Sequence, residues 1–411
     1  MVHIESVTAV PVVGGYFFDD QRAIKRGAVR DGFSYSGAPE TDGFERIRQP
    51  SEALSVLIEL SDGRVAKGDC AAVQYSGAGG RDPVFRANEY VNVVENEVAP
   101  LINGCEAHAF MENVEQVDNY RNSFHSAIQY GISQALLAAA GLVTNETMTD
   151  VLASTYNIEP ATDPVPIYAQ SGDDRRENAE KMILKNVDVL PHGLFNNIDK
   201  VGQSGENLVE YIEWLAGRVA ELGAETYEPT FHVDVYGLLG EIFGPPYDRG
   251  EVIDYIGELE QAAHRHPLQI EGPMDEGNRE EQINAMAELR DGIAEHGVGV
   301  DIVADEWCNT LDDIKTFVDQ GAADIVQVKT PDLGGIHRSA EAVLYCEETD
   351  VGAYLGGSCA ETEISARASA HIALATKPIQ VLAKPGMGVD EGITIVYNEM
   401  LRTIALRNAD R

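Results

Sequence analysis

Four apolar segments in the second half of the chain end in polar side chains that could do chemistry together. They are FHVDVYG with Asp234, LQIEGP with Glu271, DIVADEW with Asp305, and DIVQVKT with Gln327 and Lys329. The interval from one segment to the next is about the length of one strand–helix unit. In a parallel β/α barrel, such positions converge at the carboxyl ends of the strands, so we expect these side chains to share one site.

Three carboxylates from consecutive strands suit a hard divalent cation. Mg²⁺ prefers oxygen ligands in octahedral geometry and keeps positions open for water or substrate. A lysine on the next strand would lie beside that cation, where it can act as a base. A metal with a base removes a proton next to a carboxylate, because the metal stabilises the enediolate that forms. The pattern therefore predicts Mg²⁺ ligands at Asp234, Glu271 and Asp305, with Lys329 as the base.

Three other interpretations of these residues stay open at this point. A single carboxylate at a strand end is more often a helix cap or a partner in a structural ion pair. Lys329 alone would also fit the Schiff-base lysine of an aldolase barrel, although three carboxylates in register argue against it. The barrel could also keep its metal for stability alone, without catalysis.

The elements that position these residues differ between two parts of the chain. From about residue 164, short apolar strands alternate with amphipathic helices, which is typical of a parallel α/β sheet, and at least seven such units favour a closed barrel. Before that, HIESVTAVPVV and ALSVLIELSDGRVAKGDC predict strands with a turn at 61–63, and helical patterns follow near 83–103, 108–120 and 125–140. We therefore predict an α/β fold, with an N-terminal α+β capping domain at 1–160 and a TIM-type (β/α) barrel at 161–411.

Composition limits the partners and the compartment. The 411 residues include 68 Asp and Glu against 30 Lys and Arg, a net charge of −38, which disfavours nucleic acid and anionic membranes as partners. Acids spread through a chain with ordinary apolar periodicity predict a folded protein in a high-salt cytoplasm, where salt screens the repulsion. The five cysteines form no CxxC pair, which favours a reducing cytoplasm. We also expect no signal peptide and no apolar run long enough to span a bilayer.

Several further segments carry candidate residues. His192, in LPHGLFNN, follows an apolar run, where a lone histidine is usually a loop or core residue. Gln170 ends the first barrel strand, where an amide is as often structural as it is a ligand contact. The small residues of GGSCAE, 356–361, suit a carboxylate because they leave backbone amides exposed. Cys359 has no histidine nearby in sequence, so we do not interpret it as a nucleophile.

Two glycine-containing loops are interpreted as structural. QYSGAGGRDPVF, 74–85, lacks the following Lys-Ser/Thr that a phosphate-binding loop needs. AKPGMGVDEG, 383–392, is predicted to form a tight loop after the last strand, and we interpret its Lys384 as a structural residue.

Seven motifs together resemble those of the methylaspartate ammonia-lyase family, which belongs to the enolase superfamily. They run through most of the chain: CAAVQYSGAGGRDPVF, AQSGDDR, LPHGLFNN, HVDVYG, IEGPMD, QVKTPDLGGI and VLAKPGMGVDEG. The resemblance implies elimination of ammonia from L-threo-3-methylaspartate, a small amino-dicarboxylate, to give mesaconate. It also implies Mg²⁺, a monovalent cation such as K⁺, and a homodimer. The nearest alternative is another enolase-superfamily reaction, such as racemisation or cycloisomerisation of a carboxylate.

The resemblance also implies roles for individual residues. Asp234, Glu271 and Asp305 correspond to the metal ligands, and Lys329 corresponds to the base that removes the C3 proton. His192 corresponds to the residue on the opposite face of the substrate, which assists charge stabilisation and handles the other C3 epimer.

Six residues are expected to contact the substrate: Gln74, Gln170, Gln327, Ser358, Cys359 and Leu382. In the family pattern, a threonine precedes the cysteine that binds the distal carboxylate. Ser358 stands there in this chain, so the hydroxyl is kept and a methyl contact is lost. Gln74 is expected to close the site near the substrate amine.

Overall fold

The computed structural model describes residues 1–120, 124–244 and 249–409. The part that precedes the barrel contains five strands and six helices in these ranges: β1 (Ile4–Asp19), α1 (Gln21–Lys25), β2 (Val29–Asp31), β3 (Ser34–Ser36), β4 (Arg48–Leu60), β5 (Val65–Ala71), α2 (Ala87–Val93), α3 (Ala99–Ile102), α4 (Phe110–Tyr120), α5 (Ser126–Thr144) and α6 (Met148–Tyr156). A π-helical turn, Val94–Val98, joins α2 to α3, so the helix predicted near 83–103 is three consecutive segments.

A three-stranded antiparallel sheet organises this part of the chain, in the order β1-β4-β5, and β2 and β3 form a separate hairpin. Leu54, Val56, Ile58 and Leu60 of β4 are fully buried because alternate side chains of a strand face the same side. The predicted turn lies between β4 and β5, and Gly63 adopts a φ of +84° there.

Helix α5 covers this sheet at very short range. Gly68 of β5 and Gly131 of α5 lie at the contact, and a Cβ atom on either glycine would collide with backbone atoms of the other element. This close approach contributes to the burial of most of α5. By length and composition α5 could cross a membrane, so the expectation that no such segment exists does not hold on those criteria. A buried core helix meets the same criteria, and most of α5 is buried here.

Eight parallel strands form a closed barrel, in the order β10-β11-β12-β13-β6-β7-β8-β9. Its strands and the helices that accompany them are β6 (Ile167–Tyr168), α7 (Arg175–Leu184), β7 (Val189–His192), α8 (Ile198–Val201), α9 (Glu206–Leu222), β8 (Thr230–Asp234), α10 (Leu238–Ile242), α11 (Arg249–Ala263), β9 (Leu268–Glu271), α12 (Arg279–His296), β10 (Val300–Ala304), α13 (Leu311–Asp319), β11 (Ile325–Val328), α14 (Thr330–Leu333), α15 (Ile336–Glu348), β12 (Gly352–Leu355), α16 (Glu363–Thr376), β13 (Gln380–Leu382) and α17 (Asp390–Asn408).

The barrel closes by pairing its last strand with its first. Val381 of β13 is in register with Ile167 of β6, and Leu382 is in register with Tyr168. The predicted TIM-type barrel with an N-terminal α+β unit is therefore confirmed. The pattern predicted at least seven strand–helix units, and the barrel has eight strands; β7 and the helix α9 that follows it were not recognised from the sequence.

Candidate active site

An interior cavity lies at the carboxyl ends of the barrel strands and is closed by the loop that follows β5. Sixteen residues line it: Val73, Gln74, Tyr75, Arg81, Gln170, His192, Asp234, Tyr236, Asp305, Gln327, Lys329, Tyr354, Gly357, Ser358, Cys359 and Leu382. Every site residue predicted from the sequence is among them except Glu271. That residue is fully buried behind Gln327, whose side-chain amide donates a hydrogen bond to it.

Three adjacent strands bring one potential metal ligand each to the floor of this cavity. His192, Asp234 and Glu271 are the last residues of β7, β8 and β9, and their ligand atoms all lie within 4.8 Å of one another. The backbone amide of Tyr236 donates to Asp234 Oδ1 at 3.0 Å, which orients that carboxylate. Two of the three predicted metal ligands are therefore adjacent, and His192 lies with them.

A buried histidine, His232, contacts Glu271 and was not predicted from the sequence. His232 Nδ1 lies 2.8 Å from the amide nitrogen of Gln380, and its Nε2 lies 2.8 Å from Glu271 Oε2. Burial lowers the pKa of His232 to about 3, so its ring is neutral. Because Gln380 Nε2 donates to Nδ1, Nε2 carries the proton and donates to Glu271. The spacing of alternate strand residues could have indicated His232, which lies two positions before Asp234.

Asp305, the third predicted ligand, is held by two basic side chains. Its Oδ1 lies 2.5 Å from Lys329 Nζ and 3.1 Å from Arg81 Nη2. Arg81 also pairs with Asp332 through Nε at 3.2 Å. Burial acts to raise the pKa of Asp305, but the charges of Lys329 and Arg81 outweigh it and lower that pKa. Asp305 is consequently ionised. It differs from the cluster of His192, Asp234 and Glu271 because it pairs with Lys329 and Arg81.

The charges and donors at this rim fit a divalent cation. Asp234, Glu271, Asp305 and Glu306 are all buried. Burial and the charges of Glu271, Glu306 and Asp305 raise the pKa of Asp234 well above its usual range. Both side-chain oxygens of Glu306 lack a hydrogen-bond partner among the described residues. These buried carboxylate oxygens have few basic partners. Carboxylate oxygens are the ligands that Mg²⁺ prefers, so the group fits this cation.

His192 enters the cavity from a backbone conformation that is uncommon for this residue type. Its φ is +64°, in the left-handed region, where such strain tends to occur at functional sites. Burial lowers the pKa of its ring to about 3, so the imidazole is neutral. Its Nε2 lies 3.5 Å from Asp234 Oδ2, and its Nδ1 has no hydrogen-bond partner among the described residues.

The loop after β12 and the loop after β5 meet across the cavity. Ser358 Oγ accepts from the backbone amides of Gln74 at 2.9 Å and Ala360 at 3.2 Å. The Cys359 thiol lies 3.3 Å from Gln74 Oε1. Burial raises the pKa of Cys359 above its ordinary value, so it stays a thiol and is not activated as a nucleophile.

A buried ion pair supports that loop from the side opposite the cavity. Lys384 Nζ lies 2.8 Å from Glu361 Oε1, and both side chains are fully buried. The same ammonium donates to Gly356 O at 2.8 Å and to Thr330 Oγ1 at 3.0 Å, next to Lys329. Tyr130 of α5 donates to the second Glu361 oxygen at 2.7 Å. Lys384 is thus an internal support, which matches its structural interpretation.

A closed (β/α) barrel with acidic residues and a lysine at its carboxyl rim, capped by an N-terminal α+β unit, defines the chain as a member of the enolase superfamily. Family models described as methylaspartate ammonia-lyase N-terminus and C-terminus match residues 2–157 and 159–409. The chain belongs to the methylaspartate ammonia-lyase family, and its members are carbon–nitrogen lyases.

Three relatives show how closely the whole chain follows this family. It is 61% identical to the methylaspartate ammonia-lyase of Haloarcula marismortui over 414 residues, covering 99% of this chain and 98% of that protein. A crystal structure of the Citrobacter amalonaticus enzyme containing (2S,3S)-3-methylaspartic acid superposes with a TM-score of 0.96, at 48% identity and covering 99% of this chain and 100% of that one. The Mg complex of Clostridium tetanomorphum β-methylaspartase gives a TM-score of 0.91, at 49% identity, with coverage of 98% and 99%.

Proposed function

We propose that this protein eliminates ammonia from L-threo-3-methylaspartate to give mesaconate, with Mg²⁺ as its cofactor. The observation that carries the proposal is the placement of Lys329 beside Asp305, at the rim that also holds Asp234 and Glu271. In this proposal, Lys329 is the base and the neighbouring carboxylates hold the cation to which a substrate carboxylate binds. The structures of relatives that contain Mg or 3-methylaspartic acid support the choice of cofactor and substrate.

Lys329 acts as the base in this proposal. Its side chain is only 12% exposed, and its ammonium faces the cavity from the end of β11. In its neutral form, Nζ takes the C3 proton, which lies α to the substrate carboxylate held at the metal site. Asp305 fixes the position of Nζ, so that the amine is aligned with one face of the substrate.

Asp234, Glu271 and Asp305 hold the cation in this proposal. When bound, Mg²⁺ would supply positive charge that stabilises the negative charge left on the substrate carboxylate by proton removal. Gln327 and His232 each donate a hydrogen bond to Glu271, and these bonds keep its oxygens oriented.

His192 serves the face of the substrate opposite Lys329. A neutral imidazole in a buried position can donate to developing negative charge and can accept a proton from the other C3 epimer. The lowered pKa of His192, about 3, keeps it in that neutral state at physiological pH.

The remaining predicted residues hold the substrate dianion. Gln170 and Gln327 supply amides, Ser358 and Cys359 bind the distal carboxylate, and Leu382 contacts the carbon skeleton. All five line the cavity. Anchoring both carboxylates fixes C3 relative to the two bases, and that orientation decides which epimer reacts.

Four further properties belong to the proposal. K⁺ acts as a monovalent activator, and the protein works as a homodimer in the cytoplasm. The net charge of −38 suits a high-salt cytoplasm, because salt screens repulsion between surface carboxylates. The chain divides into a capping domain at 1–160 and a catalytic barrel at 161–411.

The test is a steady-state assay with L-threo-3-methylaspartate. Mesaconate is followed by its ultraviolet absorbance and ammonia by a coupled assay, with Mg²⁺ and K⁺ present or removed by chelation and dialysis. We expect equal amounts of both products and loss of activity without Mg²⁺. Isomerisation without ammonia release would instead support a racemase or cycloisomerase. Borohydride trapping of a substrate adduct that survives chelation would support an aldolase.

A further inference from the structure

The buried ion pair of Lys384 and Glu361 lies behind the wall of the cavity. Both side chains are fully buried, and neither is among the residues that line the cavity. Gly357 does line it, and a Cβ atom on this glycine would collide with Lys384 Nζ and with Glu361 Oε1. The ion pair therefore packs directly against the backbone of the site and does not reach the substrate.

All three N–H groups of the Lys384 ammonium have acceptors. Nζ donates to Glu361 Oε1 at 2.8 Å, to Gly356 O at 2.8 Å and to Thr330 Oγ1 at 3.0 Å. An ammonium has three donors and no acceptor, so no N–H group is left for a ligand. The three acceptors come from separate segments of the chain, and together they fix the position of the nitrogen.

One of these contacts reaches the turn that carries the proposed base. Thr330 directly follows Lys329 in the chain and is fully buried at the start of α14. The backbone amides of Asp332 and Leu333 donate to Lys329 O at 3.0 Å and 3.2 Å, which closes this turn. The hydrogen bond from Lys384 to Thr330 therefore restrains the backbone from which the Lys329 side chain extends.

The other contacts reach the loop to which the proposed function assigns the distal carboxylate. The backbone amide of Ser358 donates to Glu361 Oε1 at 2.9 Å, so this oxygen is shared with Lys384. Tyr130 donates to the second oxygen of Glu361 at 2.7 Å. A movement of Ser358 away from Glu361 breaks the first of these hydrogen bonds. The ion pair thus restrains the loop on one side and the turn of the base on the other.

The separation between these two sides matters for proton transfer. In the proposed function, Ser358 anchors the distal carboxylate and Lys329 removes the C3 proton, so C3 lies between them. A displacement of 1 Å between a base and its proton can lower the rate about 10²-fold. A buried group that holds both sides at once is well placed to determine this separation.

We infer that Lys384 and Glu361 are positioning residues that hold Lys329 and Ser358 at a fixed separation, so that the amine is aligned with the C3 proton of the threo epimer. The inference rests on the proposed function, since it takes Lys329 as the base and Ser358 as an anchor for the substrate. Neither member of the pair touches the substrate, and Thr330 is the link to the base.

Thr330→Val cuts this link with the smallest change in shape, because valine keeps the branched side chain and lacks the hydroxyl. The experiment measures kcat/KM of the Mg²⁺-loaded protein for both epimers of 3-methylaspartate. For the threo epimer we expect a loss of about tenfold or more, because Lys329 is no longer aligned. The erythro epimer should change by less than about threefold, because His192 serves it from the opposite face. Equal losses for both epimers, or no change, would overturn the inference.

Thr330→Ser is the conservative variant, because it keeps the hydroxyl that accepts from Lys384. Its ratio of threo to erythro kcat/KM should stay within about twofold of the unmodified protein. A fall in this ratio as large as that of Thr330→Val would mean that the hydroxyl contact is not the cause, and would overturn the inference. Isothermal titration should give the same Mg²⁺ affinity for both variants as for the unmodified protein. A weaker affinity in Thr330→Val would place its effect at the metal and contradict the inference.

Thr376→Val is the matched control, because it removes the hydroxyl of another fully buried threonine. Thr376 Oγ1 donates to Ile372 O at 2.9 Å within α16, and Thr376 does not line the cavity. This variant should lower the melting temperature and leave the ratio of the two epimers unchanged. A fall in the ratio here would show that loss of stability alone produces the effect, and would overturn the inference.

A double variant keeps the outcome decisive if Thr330→Val folds poorly. Lys384→Met combined with Glu361→Gln removes both charges, and removing both partners of a buried pair is often well tolerated. It should show the same selective loss with the threo epimer, because the link to Thr330 is gone. An unchanged ratio in this variant would overturn the inference by itself. Absence of turnover of either epimer by the unmodified protein would instead refute the proposed function.

Discussion

Lys329 Nζ and Asp305 Oδ1 lie 2.5 Å apart at the rim of the barrel, and Arg81 approaches the same oxygen. The predicted base and a predicted metal ligand therefore share a direct contact. A change in the charge of the Asp305 carboxylate directly changes its electrostatic interaction with Lys329 Nζ. Two charged groups at this distance interact strongly when bulk water is excluded. In the proposed site, metal binding and the position of the base are coupled through this one side chain.

Lys329→Ala should abolish turnover of the threo isomer while Mg²⁺ still binds. We expect a loss of about 10²-fold or more, because a positioned base contributes that much or more to proton transfer. Mesaconate formation measures the first effect and isothermal titration with Mg²⁺ measures the second. Arg81 still pairs with Asp305 in this variant, so circular dichroism should show a native fold. Full activity would refute the role assigned to this lysine.

His192→Ala should harm the erythro isomer more than the threo isomer. The imidazole belongs to the proposed second face of the site, whereas Lys329 still serves the first. The comparison needs kcat/KM for both epimers in the same preparation. Equal losses for the two epimers would count against a two-face arrangement.

Lys384→Met and Glu361→Gln should each destabilise the protein, by about 3–5 kcal/mol, because each leaves one fully buried partner without its counter-charge. The double variant should lose less than the sum of the two, since neither charge then remains buried alone. Urea unfolding at fixed Mg²⁺ measures all three free energies. Additive losses would show that the two side chains do not act as a pair.

Melting temperature should rise with KCl concentration. The net charge of −38 creates repulsion across the surface, and the Debye length falls from about 10 Å at 0.1 M to about 3 Å at 1 M. Calorimetry across a KCl series tests this, with a series in sucrose as a control for general solute effects. A flat profile would remove the high-salt interpretation.

The fold was predictable where strand and helix periodicities are long and distinct. Strand β7 was missed because it includes Pro191, which argues against a strand, and because the run MILKNVDVL extends from the apolar end of α7 into β7. Because β7 was not recognised, the amphipathic segment that forms α9 was not assigned to a strand–helix unit.

The site was predictable for residues at the ends of successive barrel strands, because the repeat length places each strand end relative to the previous one. Asp234, Glu271, Asp305 and Lys329 follow the barrel repeat, so their spacing alone placed them together. Arg81 follows no such repeat, because it reaches the rim from the part of the chain before the barrel. A contact between residues so distant in sequence depends on how two packed units meet, and local patterns do not record it.

Arg81 precedes the barrel in sequence, whereas its partner Asp305 and the proposed base Lys329 each follow a barrel strand. Charge balance around the proposed base therefore depends on two separate stretches of the polypeptide. A polypeptide without the earlier stretch would keep the barrel carboxylates and lose one of the two cations that neutralise Asp305.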